Sequence, residues 1–147
     1  MVMRLWLSIW LVGCGGGYTS MPPSPGAVAL ADECLDVQVF DGAREPDLPR
    51  PMPVLGFRIG NRCLHPVAID FAAIEVAADV GGRLAPLRPH DPRSELSAAT
   101  LDGRAHLQEQ VAYVLPVGVD RVSRVCVRLE GAPACLDVVM GEDEWVD

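Results

Sequence analysis

Five cysteines and three histidines are the residues of this chain best suited to chemistry: Cys14, Cys34, Cys63, Cys126 and Cys135, with His65, His90 and His106. Thiolates and imidazoles bind zinc or run redox reactions only at suitable spacings. The chain has no Cys-x-x-Cys and no His-x-x-x-His, so the sequence assigns no metal site and no redox motif. A serine nucleophile elbow is absent as well. Asp70, Glu75 and Asp79 are close in sequence, but the last two fall on the polar side of a predicted strand, where carboxylates are solvated. Glu142, Asp143 and Glu144 beside Trp145 read as an acidic tail, since a calcium site needs a defined ligand loop. The glycines at 15–17 lack the spacing of a phosphate loop and follow no strand. No catalytic residue and no cofactor is assigned, and the chain is expected not to be an enzyme.

The remaining question is what Cys14 does. Met1 to Arg4 carries one positive charge, Leu5 to Val12 is almost wholly apolar, and Gly13 is small. That order is the order of a secretory signal. The apolar run is far shorter than the ~20 residues that span a bilayer as a helix. Leu11-Val12-Gly13-Cys14 resembles the lipobox of bacterial lipoproteins. The resemblance covers this segment alone. It implies that residues 1–13 are removed as a signal peptide and that Cys14 carries the lipid. Since one acyl chain holds a protein only marginally at a membrane, two or three chains make attachment lasting. Gly15, where a retained lipoprotein would carry Asp, implies onward transfer to the outer membrane. The partner implied is therefore the membrane, through the anchor.

Setting Cys14 aside leaves Cys34, Cys63, Cys126 and Cys135, an even number that fits two disulfides in an oxidising compartment. Three pairings are open in principle. One follows from a hairpin: Arg121 to Leu129 and Ala132 to Met140 as strands around Glu130-Gly131. In that register Cys126 faces Cys135 and Arg124 faces Asp137. Val125 and Val127 then share an inner face with Leu136 and Ala134. Cys126 and Cys135 fall at a non-hydrogen-bonded pair, with Cα atoms ~4.5 Å apart, a span a disulfide tolerates. Cys34 and Cys63 form the second bridge by elimination.

These residues are positioned by a chain that alternates like strands. Leu35, Val37 and Val39 alternate with Asp36 and Gln38, and Leu55, Phe57 and Ile59 with Gly56 and Arg58. Ile74, Val76, Ala78 and Val80 do the same before Gly81-Gly82 turns the chain toward Arg83 to Leu87, and Val111, Tyr113 and Leu115 follow. Pro46 to Pro53 and Pro86 to Pro92 predict loops or edges. Asp91-Pro92 supplies a cap and a first-turn proline, predicting a short helical insertion that extends through Ser97 to Leu101. The fold class is all-β, a sandwich of about seven strands with that one insertion. Asn61-Arg62-Cys63-Leu64-His65-Pro66-Val67 between two strands resembles immunoglobulin-like extracytoplasmic domains over residues 32 to 140. Residues 14–31, rich in Gly, Pro and Ser, predict a lipidated tether with a reach of a few tens of ångströms, and 141–147 an acidic tail.

Half the residues are apolar, enough for one core in 147 residues. The formal charge of -8, with every basic residue an Arg, repels phosphate backbones and excludes nucleic acid as a natural partner. Fold likeness carries no activity with it. The expectation is a membrane-anchored, non-catalytic binding or structural module meeting a protein partner in the cell envelope. Its rival is an extracytoplasmic metal carrier or enzyme accessory using His65 or His90 with Met21 or Met52. The sequence carries no signal for oligomeric state.

Overall fold

The computed structural model describes residues 24–42, 48–90 and 99–140. Among these the chain forms eleven strands: β1 (Val28–Ala31), β2 (Leu35–Asp41), β3 (Val54–Asn61), β4 (Val67–Ile69), β5 (Glu75–Val80), β6 (Arg83–Pro86), β7 (Arg88–Pro89), β8 (Ala99–Leu101), β9 (His106–Val114), β10 (Arg124–Arg128) and β11 (Ala134–Asp137). All pairings are antiparallel. One sheet has the order β1-β2-β3-β9-β7, the other β11-β10-β5-β6, and β4 with β8 forms a small two-stranded piece. The fold is an all-β sandwich, as the alternating sequence predicts.

The alternation places the core. Val37 and Val39 of β2, with Leu55, Phe57 and Ile59 of β3, are buried on one sheet against Val125 and Val127 of the other. A fully buried side chain of this size contributes roughly 1.5–3 kcal/mol. Phe57 meets Phe71 edge to face, with ring centroids 6.1 Å apart. Phe71 stands in a single 3₁₀ turn, Phe71–Ala73, that precedes β5.

One strand path serves both sheets. β6 pairs with β5, and after the single residue Leu87 the chain continues as β7 against β9. Leu87 is buried at the crossing and its N–H donates to the Val76 carbonyl at 2.9 Å. β6 and β7 are edge strands of their sheets, which is why Pro86 and Pro89 are tolerated within them. Gly81 and Gly82 both have positive φ, 62° and 85°, the conformation a two-residue hairpin turn demands of both its central residues.

Four expectations need correction. The count of about seven strands is too low, because β1, β4, β7 and β8 have only two to four residues and show no legible period. The tether predicted over 14–31 overlaps β1, whose Val28 to Ala31 pair with β2, so the folded body starts before residue 32. The helical insertion cannot extend through Leu101, because Ala99–Leu101 is strand β8 held by β4; residues 91–98 lie outside the described residues. The last hairpin keeps its predicted register from Arg124 opposite Asp137 to Val127 opposite Ala134, but its ladder ends there, and 129–133 form a longer connection. Gly131 turns the chain within this connection with φ 76°.

A close fit on the outer side of the five-stranded sheet can be tested. Phe40 lies opposite Gly56 in the β2–β3 register, and a Cβ on Gly56 would sit 2.2 Å from the Phe40 ring. The Arg58 guanidinium stands over that ring, 5.0 Å from its centroid. Gly56→Ala must push the ring aside and is expected to cost about 1–3 kcal/mol, the usual penalty of overpacking. In a Phe40→Ala background the same change should cost less than half as much, because the two sites are coupled; chemical denaturation of the four proteins measures both values.

Candidate functional site

The N-terminal end of β2 and the C-terminal end of β3 meet at one end of the sandwich, where Leu35 pairs with Asn61. Their flanking loops bring Cys34 and Cys63 together at disulfide-bonding distance, with Cα atoms 5.2 Å apart. His65 joins them: its Nε2 is 3.8 Å from Cys34 Sγ. One ligand atom from each of Cys34, Cys63 and His65 lies within 4.8 Å of the other two. Among the described residues this is the one group in which three potential metal-binding side chains converge.

The loop that carries Cys63 and His65 is shaped by Asn61, which is fully buried. Its Nδ2 donates to the carbonyls of His65, Leu101 and Asp102 at 2.9, 3.1 and 3.2 Å. Its Oδ1 accepts from the Cys63 N–H at 2.9 Å. A buried amide earns its place only when its donors and acceptor are matched, and here one side chain ties the end of β3 to the loop after β8. The Arg104 N–H, donating to the Cys63 carbonyl at 3.0 Å, adds a second tie. At Gly103 the approach is so tight that a Cβ would lie 2.1 Å from the Leu64 carbonyl oxygen.

The Cys34 side is fixed separately. Asp32 Oδ1 accepts from the N–H groups of Cys34 and Leu35 at 3.0 and 2.7 Å, the Asx pattern that sets a turn. The Arg62 N–H donates to the Cys34 carbonyl at 2.7 Å. The Arg62 side chain pairs with Asp36 at 3.1 Å and donates to the carbonyls of Asp32 and Glu33. Cys34 itself is buried, Cys63 half-buried and His65 exposed.

The second pair, Cys126 and Cys135, lies at bonding distance between β10 and β11, with Cα atoms 3.9 Å apart. Cys126 lines a shallow groove of about 520 Å³ on the outer face of the four-stranded sheet, with Ala77, Leu84, Pro86, Pro133 and Arg128. Glu75, opposite Arg128 in the β5–β10 register, forms an ion pair with it across the groove.

The other sequence candidates are dispersed. His90 donates its N–H to the Ala112 carbonyl, and His106 is exposed on β9 opposite Gly60. Met52 is buried in a small separate cluster with Val54 and Ala112, away from the core that Ile59 and Leu35 belong to. Asp79 accepts from the Gly82 N–H and so serves its turn. Cys14, Met21, Asp91 to Glu95 and the acidic residues 142–144 lie outside the described residues. The contact of His65 with Cys34 was not visible in the sequence, because it joins residues 31 apart and depends on the Asn61 loop. Comparison of the chain with known protein families, with curated proteins and with solved structures finds no match.

Removing the amide tests this construction. Asn61→Ala strips partners from the Cys63 N–H and three carbonyls and is expected to cost about 2–4 kcal/mol, given ~1–3 kcal/mol for each buried group left unsatisfied and partial rescue by water. A lower urea midpoint with an unchanged slope is the expected result.

Proposed function

We propose that the chain is a lipid-anchored protein of the cell envelope whose β-sandwich is a non-catalytic binding module. The observation that carries this reading is the partition of its cysteines: four stand in two pairs at bonding distance, and Cys14 is the one left over. Disulfides persist where thiols are not kept reduced, outside the cytosol. The left-over cysteine is the one in Leu11-Val12-Gly13-Cys14, the segment that resembles a lipobox. The likeness to immunoglobulin-like extracytoplasmic domains belongs to the same reading, as does transfer to the outer membrane.

The module's partner is a protein or other envelope component met through loops or strand edges. An acidic surface and a scaffold held by two crosslinks suit such contact.

A metal carrier is the second reading, favoured by the convergence of Cys34, Cys63 and His65. Sulfurs joined to each other carry no thiolate charge for an ion, so this role requires a reduced protein. Titration with zinc under oxidising and reducing conditions separates the two readings: a carrier binds one ion per chain.

Replacing the anchor tests the preferred reading. Cys14→Ala should move the protein from the membrane to the soluble fraction of lysed cells. A pull-down from solubilised envelope should recover the same partner with both forms, because recognition resides in the sandwich. Membrane retention of the variant, or recovery of a partner by the wild type alone, contradicts the reading.

A further inference from the structure

We infer that the Cys34–Cys63 disulfide is a thiol-exchange site, in which an external thiolate attacks Cys63 and His65 assists the departure of the Cys34 sulfur. The two sulfurs are not equivalent. Cys34 is 8% exposed, whereas Cys63 is half-buried in a loop whose neighbours Arg62, Leu64, His65 and Pro66 are all exposed. An incoming thiol therefore reaches Cys63 more readily. His65 Nε2 is 3.8 Å from the other sulfur, the one that must leave.

The step balances without any group beyond the thiol. A thiolate RS⁻ forms a bond to Cys63 Sγ, the Cys63–Cys34 bond breaks, and its electron pair goes to Cys34 Sγ. An N–H at His65 Nε2, 3.8 Å from that sulfur, stabilises the developing thiolate, which then takes a proton from solvent. The product is a mixed disulfide on Cys63 with a free thiol at Cys34. When the reagent is a dithiol, its second sulfur releases Cys63, so the reagent is oxidised by two electrons and the pair is reduced by two. Exchange is faster when the leaving sulfur is more acidic, and a neighbouring N–H donor makes it so.

The scaffold also fits a bond that opens. The Arg62 N–H to the Cys34 carbonyl, the Asn61 contacts and the Leu35–Asn61 rung all flank the disulfide and none passes through it. Arg62 is engaged with Asp36, and Asp32 with the N–H groups of Cys34 and Leu35. Cys126–Cys135 provides an internal reference, since the groove that Cys126 lines contains no histidine.

The test is reduction of the full oxidised chain by dithiothreitol, with rapid alkylation and mass spectrometry reporting each disulfide separately. Rates are expressed per reagent thiolate at one fixed pH. Cys34–Cys63 should open about tenfold faster than Cys126–Cys135. His65→Phe, which removes the N–H donor, should lower the Cys34–Cys63 rate severalfold and leave the Cys126–Cys135 rate unchanged. Leu64→Ala, at an exposed neighbour on the same loop, should retain the fast rate, which separates the imidazole's role from a general loosening. Glutathione should be trapped on Cys63. Equal rates at the two disulfides, a Cys34–Cys63 rate unchanged by His65→Phe, or glutathione trapped on Cys34 would overturn the inference. An equal loss of rate in Leu64→Ala would do the same.

Discussion

A single buried amide holds one end of this protein together. Asn61 ends β3, turns the following loop back on itself through the Cys63 N–H and the His65 carbonyl, and reaches across to the carbonyls of Leu101 and Asp102 at the end of β8. Because it is neutral, its burial carries no charge penalty, only the requirement that its polar atoms be matched. Once matched, it leaves the chain from 61 to 65 little choice of path. Cys63 must face Cys34, and His65 must come to rest beside the same sulfur. The disulfide then locks covalently a geometry that hydrogen bonds have already chosen.

The two crosslinks do different work because they sit in different surroundings. Cys126–Cys135 joins adjacent strands within one sheet, where backbone pairing already fixes the register, and its loop is short. Cys34–Cys63 encloses the β2–β3 hairpin at its open end, far from the turn that joins those strands. β1 runs antiparallel to β2. Val28 lies opposite Val39 and Ala31 opposite Asp36, so the chain enters the sandwich at one end and reaches Cys34 at the other.

Much of the fold was legible because its signals are local. Period-two alternation marks β2, β3, β5 and the C-terminal part of β9, Gly81-Gly82 marks a hairpin, and facing pairs around Gly131 specify the register of β10 and β11. The short strands escaped because two to four residues show no period, and Ala99–Leu101 becomes a strand only because β4 is there to pair with it. A cap followed by proline is a local helix signal, and tertiary pairing overrode its extension to 101. The site was half legible. Cys34 with Cys63 followed from counting, but the role of Asn61 depends on carbonyls 40 and 41 residues away, and His65 comes to Cys34 from 31. No spacing rule along the chain reveals contacts of that kind.

The proposed function divides five sulfurs in two: four pair within the sandwich, and the fifth is assigned to the membrane anchor. Intact-mass and non-reducing peptide spectrometry on protein extracted from envelope, with thiols alkylated at lysis, measures that division in one experiment. The account predicts a mature chain beginning at a lipid-modified Cys14, four hydrogens lighter than its reduced form, with Cys34 linked to Cys63 and Cys126 to Cys135. A chain that still begins at Met1, an unmodified Cys14, or alkylated thiols at the other four positions would contradict it.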